Sequence, residues 1–90
     1  MTNAKELRDM IGDIDQQIVE LIATRLEIAD ELAKVKKETG QNKWDEAKER
    51  EVIDRYHELC EEVSLSEEEA RQVAEVILHI SKVRQMHIFE

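Results

Sequence analysis

The chain has no proline and only two glycines, Gly12 and Gly40, in 90 residues. That leaves too few turn formers for a sheet with tight hairpins. Aromatics are nearly absent: one Trp, one Tyr and one Phe, at Trp44, Tyr56 and Phe89. The core is therefore expected to be aliphatic. A single cysteine, Cys60, excludes an intrachain disulfide. It fits a reducing cytoplasm and is expected as a small core residue. No apolar run reaches the roughly 20 residues of a membrane span, and the N-terminus lacks the apolar stretch of a signal peptide. Cations are in the minority, 13 Lys and Arg against 22 Asp and Glu, for a net charge of -9. Such a surface repels phosphate backbones, so nucleic acid is not an expected partner. There is no Gly-rich phosphate loop. His57, His79 and His87 are widely spaced, so no metal site is expected. No nucleophile-base pair stands out.

What remains is helix. Charged residues make up 39% of the chain, and Leu and Ala are frequent, a composition of long helices. Residues 1–90 read as one domain with three helices, at about 4–37, 45–62 and 67–87. Asn3 with Glu6, and Ser66 with Glu69, have the spacing of capping boxes. In the first helix Leu7, Ile11, Ile14, Ile18, Leu21, Ile22, Ile28, Ala29 and Leu32 recur at helical spacing, and Gly40 suits its end. Val52, Ile53, Tyr56, Leu59, Cys60 and Val63 form the stripe of the second. Val73, Val76, Ile77, Ile80 and Val83 form that of the third. The run Glu67-Glu68-Glu69 is first-turn charge favoured by the helix dipole.

Length carries an argument of its own. The first helix is roughly 50 Å long, whereas a compact chain of this size is about 30 Å across. The two shorter helices cannot cover its whole apolar stripe, and a second copy can. The expected fold is therefore all-α, a three-helix chain with a long first helix in an intertwined helical homodimer.

Several polar residues sit where apolar ones are due. Arg25 lies seven residues after Ile18 and seven before Leu32, and Lys36 lies four after Leu32. The two cations share a face and stand about 16 Å apart along the axis. Glu49 is four residues before Ile53, Lys48 four before Val52, and Asp45 four before Glu49. Ser81 is four after Ile77, and Gln85 four after Ser81. Buried charges must be paired or bound to a counterion. One reading is internal salt bridges, such as Lys36 or Lys48 with Glu49. The other is a pocket. The inward set Arg25, Lys36 and Lys48 against Glu49 and Asp45 leaves surplus positive charge, which suits a small polyanion.

In order and spacing these residues resemble the all-helical (AroQ-type) chorismate mutases over essentially the full chain. The resemblance runs through Leu7-Arg8, Ile11, Ile14-Asp15, Arg25, Ile28-Ala29, Lys36, Asp45, Lys48-Glu49, Arg50-Glu51, Ser81 and Gln85. It implies an intertwined homodimer, and an isomerase that rearranges chorismate to prephenate without a cofactor or metal. It also implies roles. Lys36 and Gln85 would donate to the ether oxygen, and Glu49 would accept from the substrate hydroxyl. Arg25, Lys48 and Ser81 would bind the dianionic substrate, with Asp45 supporting Glu49. Arg8 would come from the other subunit, since its azimuth differs from that of Arg25 by about 100°. Lys48 departs from the family's usual arginine and loses the planar fork. An isochorismate-pyruvate lyase of the same fold is the alternative enzyme, and a non-catalytic helical dimerisation module the alternative of another class. The second helix with Lys48 and Glu49 favours the mutase.

Overall fold

Each helix begins on a side chain that accepts from its own first turn, which is why the chain breaks into helices where it does. The computed structural model describes residues 2–41 and 44–90, and these hold α1 (Ala4–Glu38), α2 (Glu46–Glu62) and α3 (Glu67–Phe89) with no strand among them. Asn3 Oδ1 accepts from the Glu6 N–H at 2.9 Å to open α1. Asp45 Oδ1 accepts from the N–H groups of Ala47 and Lys48 at 2.9 and 3.2 Å. Asp45 itself is extended, so it is the cap and not the first residue of α2. At α3, Ser66 Oγ accepts from Glu69 N–H while Glu69 Oε1 accepts from Ser66 N–H, a reciprocal box. Caps of this kind each contribute about 1 kcal/mol.

The helix ends are built alike. Gly40, with φ of 74°, lets its own N–H reach the Lys37 carbonyl and that of Gln41 reach the Lys36 carbonyl. The same pair of bonds closes α2, from Ser64 to Glu61 and from Leu65 to Cys60. There the left-handed position is filled by Ser64, at φ of 63°. Glycine adopts that conformation without a Cβ penalty, and serine does not.

Helix α3 is the centre of the chain. Both α1 and α2 pack on it, and not on each other. Its inward line is Ala70, Ala74, Leu78, Ser81 and Gln85, all buried. Of the stripe expected to face the core only Ile77 is half-buried, whereas Val73, Val76, Ile80 and Val83 are exposed. The physical reason is the small side chain of alanine, which lets neighbouring backbones come close and so sets the packed face. On α2, Cys60 is buried as expected, whereas Leu59 and Val63 are exposed.

The rest of the apolar surface has nothing to pack on within one chain. On α1 only Leu26 and Ala33 are buried, and no residue before Ile22 is even half-buried. Leu7, Ile11, Ile14 and Ile18 are all exposed. The molecule measures 58 × 24 × 15 Å, with a radius of gyration of 16.4 Å, against about 12 Å for a compact chain of this length. Its accessible surface is 7273 Å². A compact monomer of this mass exposes about 5,500 Å².

Candidate active site

The spread of α1 and α2 on either side of α3 leaves a cleft of about 140 Å³. From α1 it receives Arg25, Ala29, Leu32 and Lys36. Trp44, Asp45, Lys48, Glu49 and Val52 come from α2 and the residues before it. Leu78, Ser81 and Gln85 of α3 form its floor. Helical spacing explains the grouping. Arg25, Ala29, Leu32 and Lys36 recur every three or four residues along one face of α1, as do the Asp45 cap, Glu49 and Val52 at the start of α2, with Lys48 adjacent to Glu49.

The polar floor is the unusual feature. Ser81 and Gln85 are each only 8% exposed. Arg25 Nη1 donates to Ser81 Oγ at 3.4 Å. The Gln85 Nε2 group is buried and has no hydrogen-bond partner. A buried donor left unpaired costs about 1–3 kcal/mol. Among the described residues, no carboxylate forms a salt bridge with Arg25 or Lys36. Both are half-buried.

Internal salt bridges do not account for the inward charges. Glu49 Oε2 accepts from the indole Nε1 of Trp44, five residues upstream. Lys48 is exposed and pairs with Glu51 at 3.4 Å, one turn further along α2. Neither pairing proposed for Glu49, with Lys36 or with Lys48, is formed. The Asp45 carboxylate is occupied by the α2 cap. Arg8 is exposed and lies outside the cleft of its own chain. It is 17 residues before Arg25, roughly 25 Å along the helix axis.

Two features were hidden in the sequence. Trp44 is the first: it is part of the cleft wall. The only available signal was its position one residue before the Asp45 cap and within reach of Glu49. The second is Arg84, which holds Asp30 through its Nε at 3.0 Å and through Nη2. This pair ties α1 to α3 directly beside the buried Ser81 and Gln85. The Arg84 hydrogen bond holds the Asp30 carboxyl below its ordinary value, against a smaller opposing effect of burial. The partners are 54 residues apart, so no local pattern could reveal them.

Fold and cleft together define an all-α protein with a polar cleft whose free polar groups are predominantly cationic or neutral donors. The chain belongs to the type II chorismate mutases: the model of that family, Chorismate mutase type II, matches residues 7–86. It is therefore an isomerase. A chorismate mutase of Methanocaldococcus jannaschii is 29% identical over 85 residues, which span 94% of this chain and 86% of that relative. No solved structure matches the chain significantly. No described helix is long and apolar enough to cross a membrane.

Proposed function

We propose that the cleft converts chorismate to prephenate by a Claisen rearrangement. The observation that carries this reading is the buried, unpartnered Gln85 amide in one cleft with two cations that no carboxylate neutralises. In the rearrangement an ether C–O bond breaks as a C–C bond forms. The step is unimolecular and transfers no proton or electron to the protein. The protein has two tasks. It gathers a flexible dianion into the reactive chair-like conformer, and it stabilises negative charge growing on the ether oxygen.

Each cleft residue then has a role. Arg25 grips one carboxylate through its planar fork, with Ser81 beside it. Lys36 and Gln85 donate to the ether oxygen. Glu49 accepts from the substrate hydroxyl. Lys48 adds positive charge at the rim, and Asp45 fixes the start of α2 that carries both.

The working unit in this proposal is an intertwined homodimer. Its support is the exposed stripe of α1 and a surface about 1,800 Å² larger than that of a compact monomer; two copies burying that excess would hide about 3,600 Å², in the range of an obligate interface. The partner lays its own α1 along this stripe and brings its Arg8 into the cleft. The enzyme works in the cytoplasm, in keeping with the free thiol of Cys60. Arg25→Ala and Lys36→Ala test the assignment. Each should cost about 10²–10³ in kcat while circular dichroism shows intact helices. Near-native turnover of either variant refutes the placement of the reaction in this cleft. Sedimentation should give twice the chain mass, and an active monomer would overturn the shared site.

A further inference from the structure

The contacts of Trp44 are not explained by packing alone. Its indole N–H donates to Glu49 Oε2 at 2.5 Å, and both residues line the cleft. The ring is fixed from another helix, because Lys82 Nζ of α3 stands over its face at 5.6 Å from the centroid. A cation at that distance is attracted by the ring quadrupole. One side chain thus joins α3 to the first turn of α2 at the mouth of the cleft. The backbone supports the arrangement, because the Asp45 cap immediately after Trp44 fixes where α2 begins.

The chemistry of the indole matters here. Its Nε1 is a donor only and does not titrate in the working range. It can hold a carboxylate oxygen but cannot neutralise it or compete with it for a donor. A lysine in the same place would add a charge that the ligand's own carboxylates would seek. With Oε2 engaged, Oε1 is the carboxylate oxygen left to accept a new hydrogen bond. No described cation forms a salt bridge with Glu49. The indole is thus its polar anchor.

We propose that Trp44 is a positioning residue for Glu49: the indole N–H holds one carboxylate oxygen so that the other faces the hydroxyl of the bound substrate. The inference rests on the reading of Glu49 as the acceptor for that hydroxyl. It adds a residue that touches no reacting atom and acts only through its neighbour.

A double-mutant cycle with a spectroscopic partner tests it. Trp44→Phe keeps an aromatic ring for Lys82 and removes the N–H together with the five-membered ring, and the second background below separates the two losses. In the native background it should lower kcat/KM about tenfold, the order of a lost hydrogen bond to a charged group. In a Glu49→Ala background the same change should cost less than about twofold, because the group it positions is gone. Trp44 is the chain's single tryptophan, so its emission reports the contact without turnover. Glu49→Ala should shift that emission and raise its quenching by acrylamide. Equal losses from Trp44→Phe in both backgrounds, or emission indifferent to Glu49→Ala, would overturn the proposal. If Glu49→Ala itself left kcat/KM unchanged, the reading of Glu49 would fail as well, and the cycle separates that outcome from the first.

Discussion

Gln85→Leu should separate stability from activity in opposite directions. The side chain is 8% exposed, and its Nε2 is buried with no partner. In the ligand-free protein that amide is a liability. Desolvating it without a hydrogen bond costs about 1–3 kcal/mol. Leucine has a similar volume and no polar atom, so the exchange removes the penalty and keeps the floor of the cleft filled. The cleft already carries apolar side chains, Leu32 and Leu78 among them. A net gain of about 1 kcal/mol is expected once imperfect shape matching is allowed for. For a domain of this size that raises Tm by roughly 4–8 °C.

On the proposed mechanism the same substitution removes one preorganised donor from the position where negative charge develops, so kcat should fall about 10²–10³. Thermal melts followed by circular dichroism at fixed protein concentration give the first quantity, and initial rates with chorismate give the second. A variant that is clearly less stable than the parent would show that the amide is satisfied in the folded protein. A variant that keeps its rate would show that the amide does not serve the reaction. Either result refutes the reasoning that the native chain sacrifices stability at Gln85 for function.

Four further outcomes are expected. Gln85→Glu should be poorly active at neutral pH and recover on acidification, since a carboxyl donates only when protonated; a flat pH profile with intact helices would remove Gln85 from the breaking bond. Arg8→Ala and Arg25→Ala chains, each inactive alone, should regain activity when mixed, because a heterodimer holds one intact site of two; no recovery after subunit exchange would rule out a site shared between chains. Ser64→Gly should stabilise the fold by about 1 kcal/mol in chemical denaturation, by relieving a left-handed residue that carries a Cβ; a loss of stability would contradict the strain argument. The Arg84 contact lowers the folded-state pKa of Asp30, so its stabilisation is complete above the ordinary carboxylate range and is lost as pH falls through that depressed value. Asp30→Asn should therefore destabilise at neutral pH and match the parent in strong acid, as read by urea titrations at both ends.

The helices were legible because their signals are local. Periodic apolar residues, the Ser66–Glu69 box and Gly40 all lie within a few positions of what they determine. The inward cations were legible for the same reason, since Arg25 and Lys36 break a stripe that their own helix defines. Choosing the packed face of α3 was harder. Val73, Val76, Ile80 and Val83 are more hydrophobic than Ala70 and Ala74, yet the alanines are buried and the valines exposed. Hydrophobicity says that a residue seeks cover, but side-chain size decides which face lets another helix close in. The valines and the α1 stripe stay exposed in one chain, and the proposed second copy would cover them. Ser64 gave no warning of its left-handed backbone, because glycine is the usual sign of that position. Trp44 and Arg84 were opaque because their partners are set by tertiary geometry. An indole before a cap and an arginine on a charged helix face have many possible neighbours.

The central claim is that this cleft rearranges chorismate. Its most direct test is to incubate the purified chain with chorismate and identify the product by nuclear magnetic resonance while following the loss of substrate absorbance. Prephenate should form as the sole product, at a rate far above the uncatalysed reaction and sharply reduced in Lys36→Ala. Chorismate that decays no faster than in buffer, or an increase in rate that survives Lys36→Ala unchanged, would contradict the account.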